Sequence, residues 1–365
     1  MRPSLTLTLA LAAALLVGCT GSGGTATTSP APLGDIGAGL QGPSGLAASV
    51  YATGLANVSA LAVDADGRLW AATASYSDTG ADAVYRIGSP GAAPTQVISG
   101  IHMPLGLAWV GDTLYVSSAG RIEAYSGLGG AAFATVRTVV TLPAGAGEVN
   151  GLAVAADGRL VFGVSAPCNA CTTTSTTDAA VLSVLPDGTG LQVVASGIRA
   201  PVGLAYVPGT TDLLVTMNQR DDLGEATPGD WLSIVRPGQK WGFPDCYGQG
   251  GTVCSGVPAP LAVLDPHAAV SGVAVVAGSL GPTIGTSALV AEWTTGKVMR
   301  VALTVRDGAT TAASASGSAV STFLSGLKQP VPVITAPDGA LLVGDWGTGT
   351  VYRVAAVSAA SAMPG

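Results

Sequence analysis

A unit of two short hydrophobic strands separated by a turn recurs six times along this chain. Each copy opens with a turn of glycine and apolar residues and continues into a first strand that in several copies reads Gly-Leu-Ala. The copies begin at Gly54, Gly100, Gly147, Gly197, Pro266 and Gly326. Repeats built only from short strands and turns are typical of radial β architectures. The sequence therefore predicts an all-β fold, a six-bladed β-propeller over residues 44–356 with a tail at 357–365.

Another hydrophobic strand precedes each repeat, and residues 46–54 supply one before the first repeat. We expect this N-terminal strand to pair with the last blade and close the circle, because closure removes a sheet edge that would otherwise invite aggregation. The pairs Asp66-Gly67, Asp157-Gly158 and Asp338-Gly339 lie between two strands of their repeats. A tight two-residue turn favours such pairs because it needs positive φ, so we interpret them as structural.

The N-terminus has the pattern of an export signal. Arg2 is followed by an apolar run from Leu5 to Val17, too short to span a membrane, and then by Gly18 and Cys19. Residues 16–19 resemble a bacterial lipobox, which predicts a lipoprotein-type signal peptide over 1–18, lipidation of Cys19 and a flexible tether over 19–43. An ordinary signal peptide cleaved nearby is the alternative. We expect an exported monomer, lipid-anchored to the bacterial cell membrane or periplasm.

Charge and cysteine content narrow the function classes. The net charge is −7 and no basic run is present, so we do not expect nucleic acid as a partner. The four cysteines after Cys19 predict two disulfides in an exported chain, and the pairings local in sequence are Cys168 with Cys171 and Cys246 with Cys254. A redox or metal pair is the alternative for Cys168 and Cys171, but no second pair of this spacing could complete a zinc site.

Superposing the repeats places six polar or charged residues just ahead of the first strand of each blade: Asn57, His102, Glu148, Arg199, His267 and Lys328. Both histidines of the chain fall in this set, although charged residues make up only 10% of the sequence. If first strands line a central channel, these residues stand at its mouth, which predicts a site there. Histidine or Glu148 could act as a base, and Arg199 with Lys328 could hold an anion.

Several motifs resemble those of the soluble glucose and sorbosone dehydrogenases, six-bladed propellers that use pyrroloquinoline quinone (PQQ) with calcium. They include GIRAPVGLAYVP from Gly197, QRDDLGEATPGDWL from Gln219, WGFPDCYG from Trp241 and HAAVSGVAV from His267. The resemblance extends over nearly all of the chain after residue 44. It implies oxidation of a sugar hydroxyl or aldehyde, with PQQ and Ca²⁺ as cofactors.

The chain departs from this family at the catalytic position. The family has a histidine ahead of the third Gly-Leu-Ala strand, where this sequence has Gly147-Glu148. We therefore expect Glu148 to replace it as base, with His102 and His267 as the alternatives. The predicted cofactor-binding residues are Arg199, Lys328, Asn57 and Gln329. Two segments interrupt the repeat: residues 166–179, the first inserted loop, and residues 218–260, the second inserted loop. The predicted calcium ligands are oxygens of the second inserted loop, from Asp221, Asp222, Glu225 and Asp230.

Two other functions stay open. The propeller could bind a sugar, a polysaccharide or a protein of the cell envelope without catalysis. It could also be a metal-dependent lactonase, with Glu148, Asn150 and Asn218 as oxygen ligands in the channel.

Overall fold

The computed structural model describes residues 32–75, 82–247, 252–312 and 320–357. The predicted signal peptide, Cys19 and the first part of the predicted tether lie outside these described residues, as do positions 358–365 of the tail. Within the described residues, no helix is long and apolar enough to cross a membrane.

The described chain is almost entirely β-structure and forms six blades, as predicted. It begins with β1 (Gly34–Gly37), β2 (Leu40–Gly42) and β3 (Leu46–Ala52). Blade 1 contains β4 (Val58–Val63), β5 (Leu69–Thr73), β6 (Ala83–Ile87) and β7 (Thr95–Ser99). Blade 2 contains β8 (Gly106–Val110), β9 (Thr113–Ser118), β10 (Arg121–Gly129) and β11 (Ala132–Thr141). Blade 3 contains β12 (Val149–Val154), β13 (Leu160–Val164), β14 (Ala180–Val184) and β15 (Gln192–Ser196).

The second half of the ring repeats this plan with one addition. Blade 4 contains β16 (Pro201–Tyr206), β17 (Leu213–Met217), β18 (Gly229–Val235) and β19 (Ala262–Pro266). Blade 5 contains β20 (Val270–Ala277), β21 (Thr286–Glu292), β22 (Lys297–Arg306), β23 (Ala309–Ala312) and β24 (Val320–Leu324). Blade 6 contains β25 (Pro330–Thr335), β26 (Leu341–Asp345) and β27 (Thr350–Ala356). Two short 3-10 turns occupy Gly224–Ala226 and Thr252–Cys254.

The core lies between the blades. Each of six clusters of buried apolar residues joins one blade to the next around the ring. A blade is therefore covered on both faces, and its second strand reads as a continuous apolar run: all five residues of β5, β13 and β17 are buried. Burial on both faces explains why these strands do not alternate between apolar and polar residues.

Hydrogen bonds from side chains on or directly after the first two strands of each blade join that blade to its neighbour. The donors and their acceptor carbonyls are Ser59 to Pro104 (2.6 Å), Ser117 to Asn150 (2.6 Å), Asn150 to Pro201 (2.9 Å), Thr216 to Ser271 (2.7 Å), Ser271 to Pro330 (3.2 Å) and Trp346 to Ala74 (2.9 Å). They run in one direction from blade 1 through blade 6 and back to blade 1. The backbones also approach closely, since a Cβ on Gly272 would stand 2.6 Å from the Val331 oxygen. The centre of the ring is thus held by polar contacts as well as by apolar packing.

The folded part of the chain begins further upstream than predicted. Residues 34–42, placed in the tether by their composition, form the β1–β2 hairpin. Leu40 of this hairpin is fully buried, and Gln41 bridges to Ser325 beside blade 5. Strand β3 pairs antiparallel with β27 and is the outer strand of blade 6. Two buried apolar residues, Ile36 and Leu40, in a Gly-rich stretch were too weak a pattern to predict the hairpin.

The Asp-Gly pairs lie in turns, but the turns are longer than expected. In blade 1 the connection spans residues 64–68, and the Gly67 N–H donates to the Asp64 carbonyl. Gly67 has a φ of 79°, the left-handed conformation for which glycine is suited. The pairs are structural, although they do not form the two-residue hairpin turn.

Candidate functional site

A cavity with a volume of about 1040 Å³ opens where the first strands of several blades begin. Its walls come from residues at or ahead of the first strands of blades 3 to 6, from Ser59 and Ser75 of blade 1, and from the two inserted loops. Glu148, Arg199 and His267 of the predicted set line it. A concave site with a few convergent polar groups is the default place to look for ligand binding.

Glu148 brings an open carboxylate to this cavity. It directly precedes β12, and its backbone oxygen accepts a hydrogen bond from the Ser165 N–H at 3.0 Å. Among the described residues, its carboxylate makes no hydrogen bond or ion pair. The side chain is exposed to the cavity, yet the surrounding walls displace enough water that burial raises its pKa, and the charge of Arg199 only partly opposes this shift. A carboxylate in this state is suited to accept a proton.

Arg199 is fixed at the junction of the two inserted loops. Its Nε donates to the Asn169 backbone oxygen at 2.9 Å and its NH2 group to Asn169 Oδ1 at 2.7 Å. Its NH1 group donates to the Asn218 backbone oxygen at 3.2 Å. Asn169 Oδ1 also accepts from the Asp221 N–H at 3.1 Å. Because Asn169 lies between Cys168 and Cys171, that short disulfide loop positions the guanidinium.

His267 lies in the loop between β19 and β20. Its φ is 55°, and its Nε2 donates to the Gly224 carbonyl at 3.1 Å. Its Nδ1 lies 3.4 Å from Asp221 Oδ1, and both side chains are substantially exposed. Asp221 is also 4.0 Å from the Arg199 NH2 group. The cavity therefore has an Arg199–Asp221–His267 row along one wall.

Two indole rings that do not belong to the predicted site residues line the cavity. Trp293 follows β21 and Trp346 follows β26, with ring centroids 6.0 Å apart at 64°. The signal that could have identified them is an acidic residue followed by tryptophan at the same point of blades 5 and 6. In blade 6 the acidic residue, Asp345, holds the backbone ahead of β25 by accepting from the Lys328 and Gln329 N–H groups.

Two asparagines supply amide oxygens to the cavity wall. The Asn218 Oδ1 is buried and accepts no hydrogen bond from any described residue. Asn150 uses its Nδ2 to donate to Ser165 Oγ and the Pro201 oxygen, both at 2.9 Å. Both side chains belong to the set considered for a lactonase.

Three of the six residues predicted from the repeat, and the neighbouring Gln329, do not line the cavity. Asn57, His102, Lys328 and Gln329 precede their first strands as expected but are absent from the lining. His102 and Lys328 are exposed. The cavity is displaced toward blades 3 to 5 because the inserted loops build its wall there. Equivalent positions in the repeat therefore do not make an equal contribution to the site.

The four acids predicted to bind calcium do not converge. Asp222 pairs with Arg220 through two hydrogen bonds of 2.7 and 2.6 Å, and this pairing lowers its pKa. Glu225 is exposed in the first 3-10 turn and does not line the cavity. Asp230 is buried and accepts the Gln219 N–H at 2.7 Å and the Val270 N–H at 3.2 Å, so it joins the loop after β17 to the start of blade 5. No group of three His, Cys, Asp or Glu side chains able to hold a metal exists among the described residues.

Both predicted disulfides are present. Cys168 bonds to Cys171, and Cys168 also lines the cavity. Cys246 bonds to Cys254 and staples the second inserted loop. The pairing local in sequence is confirmed in each case.

Comparisons with known proteins support the resemblance predicted from the motifs. The family model described as the SMP-30/gluconolactonase/LRE-like region matches residues 52–219, which run from the end of β3 to just past β17. No curated protein matches the sequence.

Solved structures match nearly the whole propeller. The PQQ domain of pyranose dehydrogenase from Coprinopsis cinerea, in its holo form, is 16% identical with a TM-score of 0.74, covering 87% of this chain and 97% of that one. The PQQ-bound aldose sugar dehydrogenase of Streptomyces coelicolor is 21% identical with a TM-score of 0.66, covering 86% and 99%. The calcium structure of a Trichoderma reesei carbohydrate-active enzyme of family AA12 is 17% identical with a TM-score of 0.71, covering 87% and 96%. At these identities the likeness concerns the fold.

The residues that line the cavity do not fit PQQ with calcium. PQQ is an anionic quinone whose carboxylates require basic partners, and Arg199 is the one lysine or arginine among the described lining residues. Three of its N–H groups are already taken by protein oxygens. Glu148 and Asp221 would face the same anion and repel it. The predicted Lys328 and Gln329 lie outside the lining, and the predicted calcium ligands do not gather around a common point.

Proposed function

We propose that this propeller, which has the fold of the quinone-dependent sugar dehydrogenases, binds a carbohydrate in the cavity at the mouth of its channel. The observation that carries the proposal is that two indole rings, the open Glu148 carboxylate and Asn218, whose Oδ1 is unpartnered among the described residues, line one cavity. A sugar ring offers apolar C–H faces to aromatic surfaces and hydroxyl donors to carboxylate and amide oxygens. A buried acceptor such as Asn218 Oδ1 is costly to leave without a partner, and a ligand hydroxyl would satisfy it.

Binding is tested by calorimetry with a panel of monosaccharides and oligosaccharides. We expect saturable binding that weakens at least about tenfold in Trp293→Leu, since a well-packed aromatic contact contributes on the order of 1–3 kcal/mol. Trp293 is the better choice than Trp346, whose Nε1 donates to the Ala74 oxygen and so joins two blades. An unaltered unfolding curve of the variant serves as the control. Absence of binding by every sugar tested would overturn the proposal.

A second candidate function is hydrolysis of a sugar lactone. Two observations favour it: the match of residues 52–219 to the SMP-30/gluconolactonase region, and the three oxygen-bearing side chains Glu148, Asn150 and Asn218 in the lining of one cavity. Glu148 could activate water as a base, and the amide oxygens could help to hold a divalent cation. The test is hydrolysis of a sugar δ-lactone with added Ca²⁺, Mn²⁺ or Zn²⁺. Activity that Asn218→Ala leaves unchanged would contradict the assignment.

Oxidation of a sugar through PQQ, which the resemblance implies, has its own direct test. Purified protein mixed with PQQ and Ca²⁺ should show no shift in quinone absorbance, and no dye should be reduced on addition of aldoses, because the charges of the cavity oppose the cofactor. Stoichiometric quinone binding would overturn this reasoning.

The setting of this activity is also part of the proposal. The sequence pattern supports export and anchoring to the cell membrane through lipidated Cys19, with the propeller acting as a monomer on envelope sugars or polysaccharides. The low charge and the two disulfides are consistent with this setting.

A further inference from the structure

The charges that line the cavity do not balance. Arg199 is the one guanidinium or ammonium group among the described lining residues, and its charge faces Asn169, Asn218 and Asp221 oxygens. Asp230 has both carboxylate oxygens occupied by backbone N–H groups. His267 already contacts Asp221 and the Gly224 oxygen. Glu148 alone presents a carboxylate with no hydrogen-bond donor or ion-pair partner among the described residues.

The aromatic corner of the same cavity also favours positive charge. Trp293 and Trp346 stand at 64° to each other, with 6.0 Å between ring centroids. The faces of indole rings carry negative potential and attract ammonium groups, and tryptophan is the most effective of the aromatic residues in this role. The open carboxylate and the two rings therefore favour the same sign of charge in the ligand.

We propose that the carbohydrate bound in this cavity is an amino sugar with a free, protonated amine, which pairs with Glu148 in a cavity that the two indole rings also make favourable to positive charge. This inference rests on the proposed carbohydrate binding and specifies its ligand class. A neutral sugar would leave Glu148 accepting only hydroxyl groups. A uronic or aldonic acid would place a second carboxylate beside it, and the single, already engaged guanidinium offers little compensation.

The test compares ligands of matched shape and different charge. Calorimetry of the purified, disulfide-intact protein near neutral pH would use glucosamine, N-acetylglucosamine, glucose and glucuronate. We expect glucosamine to bind about tenfold to a hundredfold more tightly than N-acetylglucosamine or glucose, the range of one charge-assisted contact, and glucuronate to bind most weakly. Glu148→Gln should abolish the preference, while Glu225→Gln, an exposed glutamate outside the lining, should keep it.

The possible results distinguish a failure of the amino-sugar preference from a failure of carbohydrate binding itself. Equal affinity for glucosamine, N-acetylglucosamine and glucose would overturn the assignment of an amino sugar and leave carbohydrate binding intact. A preference that survives in Glu148→Gln would also overturn it, because the charge would then be recognised elsewhere. If none of the four sugars binds, carbohydrate binding itself fails and this inference fails with it.

Discussion

Replacing Thr216 by valine should destabilise the propeller through one pair of hydrogen bonds at its centre. Thr216 is fully buried, and its Oγ1 donates to the Ser271 oxygen at 2.7 Å while accepting from the Gly203 N–H at 2.8 Å. The hydroxyl thus joins the two inner strands of blade 4 to blade 5. Valine keeps nearly the same volume but leaves the carbonyl and the N–H without this partner.

The expected magnitude follows from those two groups. A buried backbone donor or acceptor that loses its partner costs about 1–3 kcal/mol, so the loss of two such partners in Thr216→Val should lower the free energy of unfolding by about 2–6 kcal/mol. Thr216→Ser keeps the hydroxyl and removes one methyl group, which should cost about 0.5–1.5 kcal/mol. The valine variant should therefore be the less stable of the two, although it retains more apolar volume.

Urea denaturation with the disulfides intact measures this order. The control is Thr138→Val on the exposed part of β11, which should change stability by less than about 0.5 kcal/mol. If Thr216→Val proved as stable as Thr216→Ser, the inner-strand hydrogen bonds would not be holding the blades together, and apolar packing alone would account for the closed ring.

Three further predictions concern single groups. Burial raises the pKa of Asp230 to about 6, so the folded protein keeps this carboxyl protonated more readily than the unfolded chain does. The resulting stabilisation should be complete below pH ~4, and up to about 3 kcal/mol of it should be lost as the pH rises through 6. A carboxyl NMR midpoint below ~4.5 would contradict this. Replacing Cys168 and Cys171 together by serine should release Asn169, so that a crystal structure of the variant shows the Arg199 guanidinium displaced from the cavity wall, whereas the same change in the other disulfide should leave it in place. Cys19→Ala should move the protein from the membrane fraction to the soluble fraction, and an unchanged distribution would exclude the lipid anchor.

The architecture could be predicted because each repeat carries it independently. Six copies of a strand–turn–strand pattern determine the number of blades even when any one copy is ambiguous, and Gly203 and Gly272 occupy equivalent places where the next blade approaches closely. The β1–β2 hairpin could not be predicted in this way, because it occurs once and depends on two buried apolar residues, Ile36 and Leu40, and a bridge to a distant serine.

The residues that line the cavity could be predicted only in part, because the repeat does not determine which of its equivalent positions come together. Glu148, Arg199 and His267 were found from their position in the repeat, but the same position in blades 1, 2 and 6 does not face the cavity. The two inserted loops have no counterpart in the repeat, and their shape decides which of the residues ahead of the first strands line the cavity. The row from Arg199 through Asp221 to His267 depends on Asn169, whose role as a bridge no pattern in the sequence indicates.

Separation of scaffold and site explains how the fold of the sugar dehydrogenases can accompany a cavity that does not suit their cofactor. The ring is joined by buried hydroxyl, amide and indole groups such as Thr216 and Asn150, and by glycines at the contacts between blades. Side chains in the loops ahead of the first strands take little part in these contacts, so they can change without loosening the ring. Gly147 limits this freedom, because a Cβ there would collide with the Ser165 oxygen. Position 147 therefore contributes no side chain to the cavity, and the side-chain chemistry at the start of blade 3 is set by Glu148 and Asn150.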